Sequence, residues 1–128
     1  MLRVKHRDSI GKLIAKFRKF DYNEIVKTRL TTYKIDPITV NEIRINEVVI
    51  DSHYAERHLD HMNDELILTL VAELDGRREL PESKSGQYAY FATLIELGNG
   101  KQYRLIWLLE DHAIYIGVVN AYRDRRRR

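Results

Sequence analysis

The stretch Tyr88–Tyr122, YAYFATLIEL GNGK QYRLIWLLE DH AIYIGVVNAY, decides the fold. It holds three runs, Tyr88–Leu97, Gln102–Glu110 and Ala113–Tyr122, rich in the β-branched and aromatic residues that pack on a pleated surface. Gly98-Asn99-Gly100 separates the first two, and Asn-Gly supplies the positive φ angles of a tight hairpin turn. Asp111-His112 is a short reversal before the third. The segment therefore predicts an antiparallel β-meander. Its strands are apolar on both parities, so helices are expected on one face and a further segment over part of the other.

Upstream, Asn63 precedes Leu66, Ile67, Leu70, Val71 and Leu74, an apolar stripe at helical spacing. Asp64 and Glu65 suit the positive end of that helix's dipole, and Gly76 is its expected stop. Asp51 or Ser52 opens a shorter helix containing His53, Tyr54, Arg57 and His58. Val40, Glu42, Ile43, Ile45, Val48 and Ile50 predict one or two strands, with Pro37 confining the first to an edge or turn. Arg77–Gln87 reads as a turn-rich, mobile connector. Near the N-terminus, Ile10, Leu13, Ile14 and Phe17 form the apolar stripe of a basic amphipathic helix over Asp8–Lys19, and Asp21 with Glu24 resembles a capping box for a second, through about Arg29. The expected architecture is α+β: an antiparallel meander with helices packed on one face.

The 128 residues amount to one domain, divided into a basic helical segment (1–30), an α+β core (31–123) and a basic tail (124–128). The net charge of +3 is uneven: nine Lys/Arg oppose three Asp/Glu in 1–30, eight oppose fifteen in 31–120, and five oppose one in 121–128. Basic ends around an acidic body fit either a polyanionic partner or ends folded back on that body. With no cysteine, disulfide scaffolds, thiol catalysis and thiolate metal sites are excluded. The longest aliphatic and aromatic run, Leu105–Leu109, falls far short of the roughly 20 residues that span a bilayer, and no signal-peptide pattern opens the chain. A cytoplasmic protein with no membrane partner is expected.

Four features carry chemistry. The first is His53, Arg57, His58 and His61: His53 and Arg57 are spaced i, i+4 and His58 and His61 i, i+3, so each pair shares a helix face. Imidazoles that exchange protons near neutrality and a guanidinium that holds phosphate are the parts for RNA cleavage without a metal. A solvated helix start is the plainer alternative. The His58/His61 pair, with Asp60 and Asp64 near it, is also a candidate for Zn or Ni, although no third ligand is fixed by spacing. The second feature is Arg104 on the middle strand with Asn120, Tyr122 and Arg123 at the end of the last. An arginine in an apolar strand needs a carboxylate partner or a wet cleft, and its place near the strand's start favours the cleft. The third is the aromatic set Tyr88, Tyr90, Phe91, Tyr103, Trp107, Tyr115 and Tyr122, read as core packing or as platforms for unpaired bases. The fourth is the basic ends, with Lys12, Lys16, Arg18, Lys19, Arg123, Arg125 and Arg126 as candidate phosphate contacts.

The order of these motifs, a strand ending at Ile50, S-H-Y-A-E-R-H (52–58), N-D-E-L-I-L-T-L-V-A-E-L (63–74) and three strands ending I-Y-I-G-V-V-N-A-Y-R (114–123), resembles the small RelE/BrnT-like ribonuclease toxins of bacterial toxin–antitoxin systems. The resemblance covers residues 47–123. It implies a twisted antiparallel sheet of the RelE/barnase kind with an RNA cleft opposite the helices, no cofactor, RNA as substrate and a separate antitoxin as partner. By position it implies roles for His53, Arg57, Arg104, Asn120, Tyr122 and Arg123; His58 is added on its proximity to the motif. The acidic 31–120 body fits the competing reading better, a non-catalytic RNA-binding or protein-interaction module. A basic tail that contacts phosphates predicts that deleting residues 124–128 weakens RNA binding without unfolding the domain and flattens its salt dependence, as measured by titration at several ionic strengths; an unchanged affinity and slope would leave the tail with no such role.

Overall fold

The structure, a computed structural model, describes residues 30–125. Two strands, β1 (Leu30–Val40) and β2 (Ile43–Asp51), lead into a 3-10 turn (Ser52–Tyr54), the short helix α1 (Ala55–His58) and the helix α2 (Asp64–Ala72). Four strands follow: β3 (Ser83–Ser85), β4 (Tyr88–Glu96), β5 (Gln102–Glu110) and β6 (Tyr115–Arg123). They form one six-stranded sheet in the order β1-β2-β6-β5-β4-β3. The meander β4–β5–β6 is antiparallel as expected. The sheet as a whole is mixed, because β2 lies parallel to β6, from Glu47 opposite Tyr115 to Ile50 opposite Val118. The expectation of a wholly antiparallel sheet is corrected at this pair, which periodicity within each strand does not encode.

β1 is an edge strand, the place Pro37 requires since proline has no N–H for a second neighbour. Between Lys34 and Ile38 it uses four steps where β2 uses two, and Pro37 sits in that irregularity. A two-residue turn joins β1 to β2 with Asn41 (φ 53°) and Glu42 (φ 67°) both left-handed. Glutamate is a poor residue for that conformation, and neighbouring contacts hold it there. Asn41 donates its backbone N–H to Arg77 O (3.0 Å) and exchanges side-chain bonds with the Glu79 backbone, while Arg78 pairs with Glu42. The loop between β4 and β5 places only Gly100 at positive φ (83°), and Gly100 N–H donates to Leu97 O (2.9 Å). Asn-Gly thus closes a three-residue hairpin, with glycine in the left-handed position, rather than the two-residue turn the dipeptide most often marks.

Asn63 caps α2 as its sequence predicts: its Oδ1 accepts the Leu66 N–H (2.7 Å). Ile67, Leu70 and Val71 are buried against the sheet, and Leu74, just past the end of the helix, is buried with them. They meet Ile45, Val48 and Ile50 of β2, Tyr103, Leu105 and Trp107 of β5, and Ile116 and Val118 of β6. Trp107 is fully buried, stacks on Phe91 (4.1 Å between centroids, 12° between planes) and donates its indole N–H to Thr93 Oγ1 (2.9 Å). The opposite face carries a smaller apolar cluster of Val49, Leu108, Tyr115 and Val119, against which Tyr88, Tyr90 and Ile106 pack. Phe91, Tyr103, Trp107 and Tyr115 are therefore core, while Tyr88, Tyr90 and Tyr122 remain half-buried.

The connector 77–87 is not wholly irregular. Ser83–Ser85 pairs with Tyr88–Tyr90 as a short exposed edge strand, turned by Gly86 (φ 60°). Such a brief edge offers little template for unwanted pairing. Among the described residues no helix is long and apolar enough to cross a membrane.

The oxygen that receives the buried indole N–H also donates to Glu79 Oε1 (3.2 Å), so its removal deletes two hydrogen bonds. Thr93→Val, nearly isosteric, is expected to lower stability by about 2 kcal/mol in urea denaturation, chiefly because the Trp107 donor is left without an acceptor; an unchanged midpoint would show that the pair of bonds contributes nothing.

Candidate functional site

Strand β2 ends at Asp51, whose carboxylate accepts the His53 N–H (3.0 Å) and starts the 3-10 turn. The turn packs against β6, and this contact brings the histidines to the end of the last strand. His53 presents Nδ1 to Glu56 Oε2 at 3.2 Å and keeps 21% of its side chain exposed. The His58 ring stacks on Tyr122 (5.4 Å, 30°), and His61 tilts against His58 (5.2 Å, 59°). His61 Nδ1 lies 2.7 Å from Asp60 Oδ1, while its Nε2 is buried with no hydrogen-bond partner among the described residues.

Burial and the adjacent His61 push the His58 imidazole below its ordinary pKa, with Arg57 and His53 adding to the shift and Asp60 opposing it. The hydrogen bond from His61 holds the Asp60 carboxyl below its usual range, with Arg125 contributing. Arg57 itself is exposed.

A cavity of about 450 Å³ opens beside this cluster, lined by His53, Tyr122 and Asn120 together with Tyr90, Phe91, Ala92, Ile106, Val119, Glu82 and Ser83. A bulge positions two of these residues. Ile106 faces Asn120 but Trp107 faces Val118, so Val119 is an extra residue in β6. Val118 and Ala121 both belong to the helix-side core, and the bulge between them turns Asn120 and Tyr122 to the opposite face.

The sequence-predicted residues therefore separate. His53, His58, Asn120 and Tyr122 converge, with Arg57 and Arg125 within electrostatic reach of the same histidines and Asp60. Arg104 is opposite Tyr122 in register, but its guanidinium donates to Asp124 Oδ2 (3.0 Å), with 19% of its side chain exposed and 2% of Asp124's. The structure thus supplies the carboxylate partner where position alone favoured the cleft. Asp124 also donates its N–H to Gln102 O (2.9 Å), so it belongs to the packed domain and a truncation confined to the tail starts at Arg125. Arg123 lies opposite Tyr103, and its Nε is buried without a partner among the described residues. Lys12, Lys16, Arg18, Lys19 and Arg126 lie outside the described residues.

Sequence reading did not single out the cavity. Tyr90 stands in the aromatic set, but Ala92, Ile106 and Val119 look like ordinary strand residues, and only the pairing of β4, β5 and β6 brings them together with it. Among the described residues no group of three or more His, Asp or Glu side chains is placed to hold a metal ion, so the His58/His61 pair lacks a third ligand there. No family model matches the chain, and neither a curated protein nor a solved structure matches it.

Because Asp124 is buried, Arg104→Ala is expected to cost about 3 kcal/mol by removing its guanidinium partner. A thermal melt that stays within a degree or two of the wild type would instead return Arg104 to the cleft.

Proposed function

We propose that this domain cleaves RNA without a metal, by attack of the 2′-hydroxyl on the adjacent phosphorus. The observation that carries the reading is that His53, Asn120 and Tyr122 line one cavity, with His58 stacked on Tyr122 and His61 against His58. His58, whose imidazole is biased towards its neutral form, takes the 2′-hydroxyl proton. The 2′-oxygen bonds to phosphorus as the bond to the 5′-oxygen breaks, leaving a 2′,3′-cyclic phosphate. His53, oriented by Glu56 on Nδ1, gives a proton to the departing 5′-oxygen from Nε2. Arg57 stands by the histidines to neutralise charge on the pentacoordinate phosphorus.

The resemblance to RelE/BrnT-like toxins supports the same reading and adds a biological setting: a toxin held inactive by an antitoxin that covers the cavity. The acidic 31–120 body supports the second reading, a module that binds RNA or protein without cleaving. Expression in bacteria separates the two, since a toxin arrests growth and an adaptor does not.

Purified protein is expected to cut RNA in EDTA, with His58→Ala and His53→Ala each slowing cleavage by about 10²-fold or more. Wild-type rates in both variants, or no cutting by the parent chain, would overturn the proposal. The base must be neutral to act, so activity falls as pH drops through the pKa of His58 in the folded protein. That pKa lies below the ordinary 6.5, and the acid limb of the rate profile is therefore expected below pH 6.5. A limb centred above 6.5 would exclude His58 as the base.

A further inference from the structure

Of the histidines only His53 lines the cavity, and the cleavage reading leaves its remaining walls unused. Tyr90, Ala92, Ile106 and Val119 make those walls largely apolar, and about 450 Å³ is within the range of sites that enclose a small organic ligand. Asn120 places an amide among them. Its Oδ1 accepts the backbone N–H of Ala121 at 2.9 Å. A backbone N–H can only donate, so the amide atom facing it must be oxygen, and the orientation of the side chain follows from chemistry. Nδ2, with two hydrogens to donate, is the end left over, and no hydrogen bond to it is formed among the described residues.

We infer that this cavity is a subsite for one unpaired nucleobase, stacked on Tyr90 and hydrogen-bonded by Asn120 Nδ2. The aromatic wall suits any base, because every base has a π-face. The usual asparagine reader of adenine donates to N7 while its oxygen accepts from N6, and here the oxygen is committed to Ala121. The remaining donor is met by a carbonyl oxygen of uracil or guanine or by a ring nitrogen of adenine, so the amide adds one hydrogen bond to any base. His53 and Tyr122 line the same cavity, so a base seated there brings its own sugar and phosphate towards them. The inference rests on the RNA reading above but requires no cleavage.

The test is titration of the intact chain with UMP, AMP and ribose 5-phosphate, followed by amide chemical shifts. UMP and AMP are each expected to bind at least about fivefold more tightly than ribose 5-phosphate, the scale of one neutral hydrogen bond. Asn120→Ala should weaken both nucleotides by about fivefold. Ala92→Leu fills the cavity from a second position without touching a histidine, and should reduce both nucleotides to the level of ribose 5-phosphate. Nucleotides bound no more tightly than ribose 5-phosphate, affinities unchanged by Asn120→Ala, or nucleotide binding undiminished by Ala92→Leu would overturn the subsite. Nucleotide binding by a chain that cuts no RNA upholds the subsite and removes the cleavage reading. RNA cleavage by a chain that binds no nucleotide does the reverse.

Discussion

The parallel pairing of β2 with β6 is the constraint on which the candidate site depends. Two parallel strands finish at the same end of a sheet, and the chain must cross over between them rather than turn back directly. The residues that leave β2, Asp51 and the turn Ser52–Tyr54, therefore arrive beside the residues that end β6, Asn120–Arg123. Had β2 run antiparallel to β6, the histidines would have started from the opposite end of the sheet, close to Tyr115. The helices fill the crossover and provide the apolar cover that the centre of the sheet needs.

A second constraint acts within β6. Alternation along a strand would place Asn120 on the same side as Ile116 and Val118, in the helix-side core, where an amide needs partners. The extra residue Val119 shifts the alternation by one, sends Ala121 into the core and turns Asn120 and Tyr122 outward. The same bulge leaves Asn120 Oδ1 on the Ala121 N–H, so the local disruption of the ladder also fixes the side chain it exposes.

Much of the fold is legible in the sequence because it is local. The Asn63 cap, the stripe Ile67, Leu70, Val71, the bounds of β5 and the edge position of the Pro37 strand each follow from periodicity, capping or the missing proline N–H. What is not legible is non-local. The direction of β2 against β6 depends on pairing partners 68 positions apart, as at Glu47 and Tyr115, and neither strand's pattern states it. The left-handed Glu42 runs against its own preference and is held by residues 77–79. Spacing within 52–61 brings the histidines together as candidates, but their union with Tyr122 and Asn120 required the crossover, and the side on which Asn120 emerges required the bulge. Arg104 shows the converse: the need for a carboxylate was readable, whereas the partner, Asp124, lay in what composition marks as tail.

The platform beneath the histidines is tied down at a single carboxylate. Asp64, in the first turn of α2, accepts the hydroxyls of Tyr33 from β1 (2.5 Å) and Tyr54 from the 3-10 turn (2.6 Å). Both phenols are pushed above their ordinary pKa, Tyr33 first by its hydrogen bond to Asp64 and Tyr54 first by burial, so they stay donors across the physiological range. This one residue links the edge strand, the segment bearing His53 and the start of the helix that closes the core. The histidines themselves are less well satisfied: His58 is desolvated beside a second imidazole, and His61 keeps a buried nitrogen without a partner among the described residues. Polar groups left short of partners cost stability in any fold. Their concentration beside a cavity, above a support whose own polar atoms are paired, is the distribution expected where rigid scaffolding maintains a locally unfavourable arrangement for chemistry.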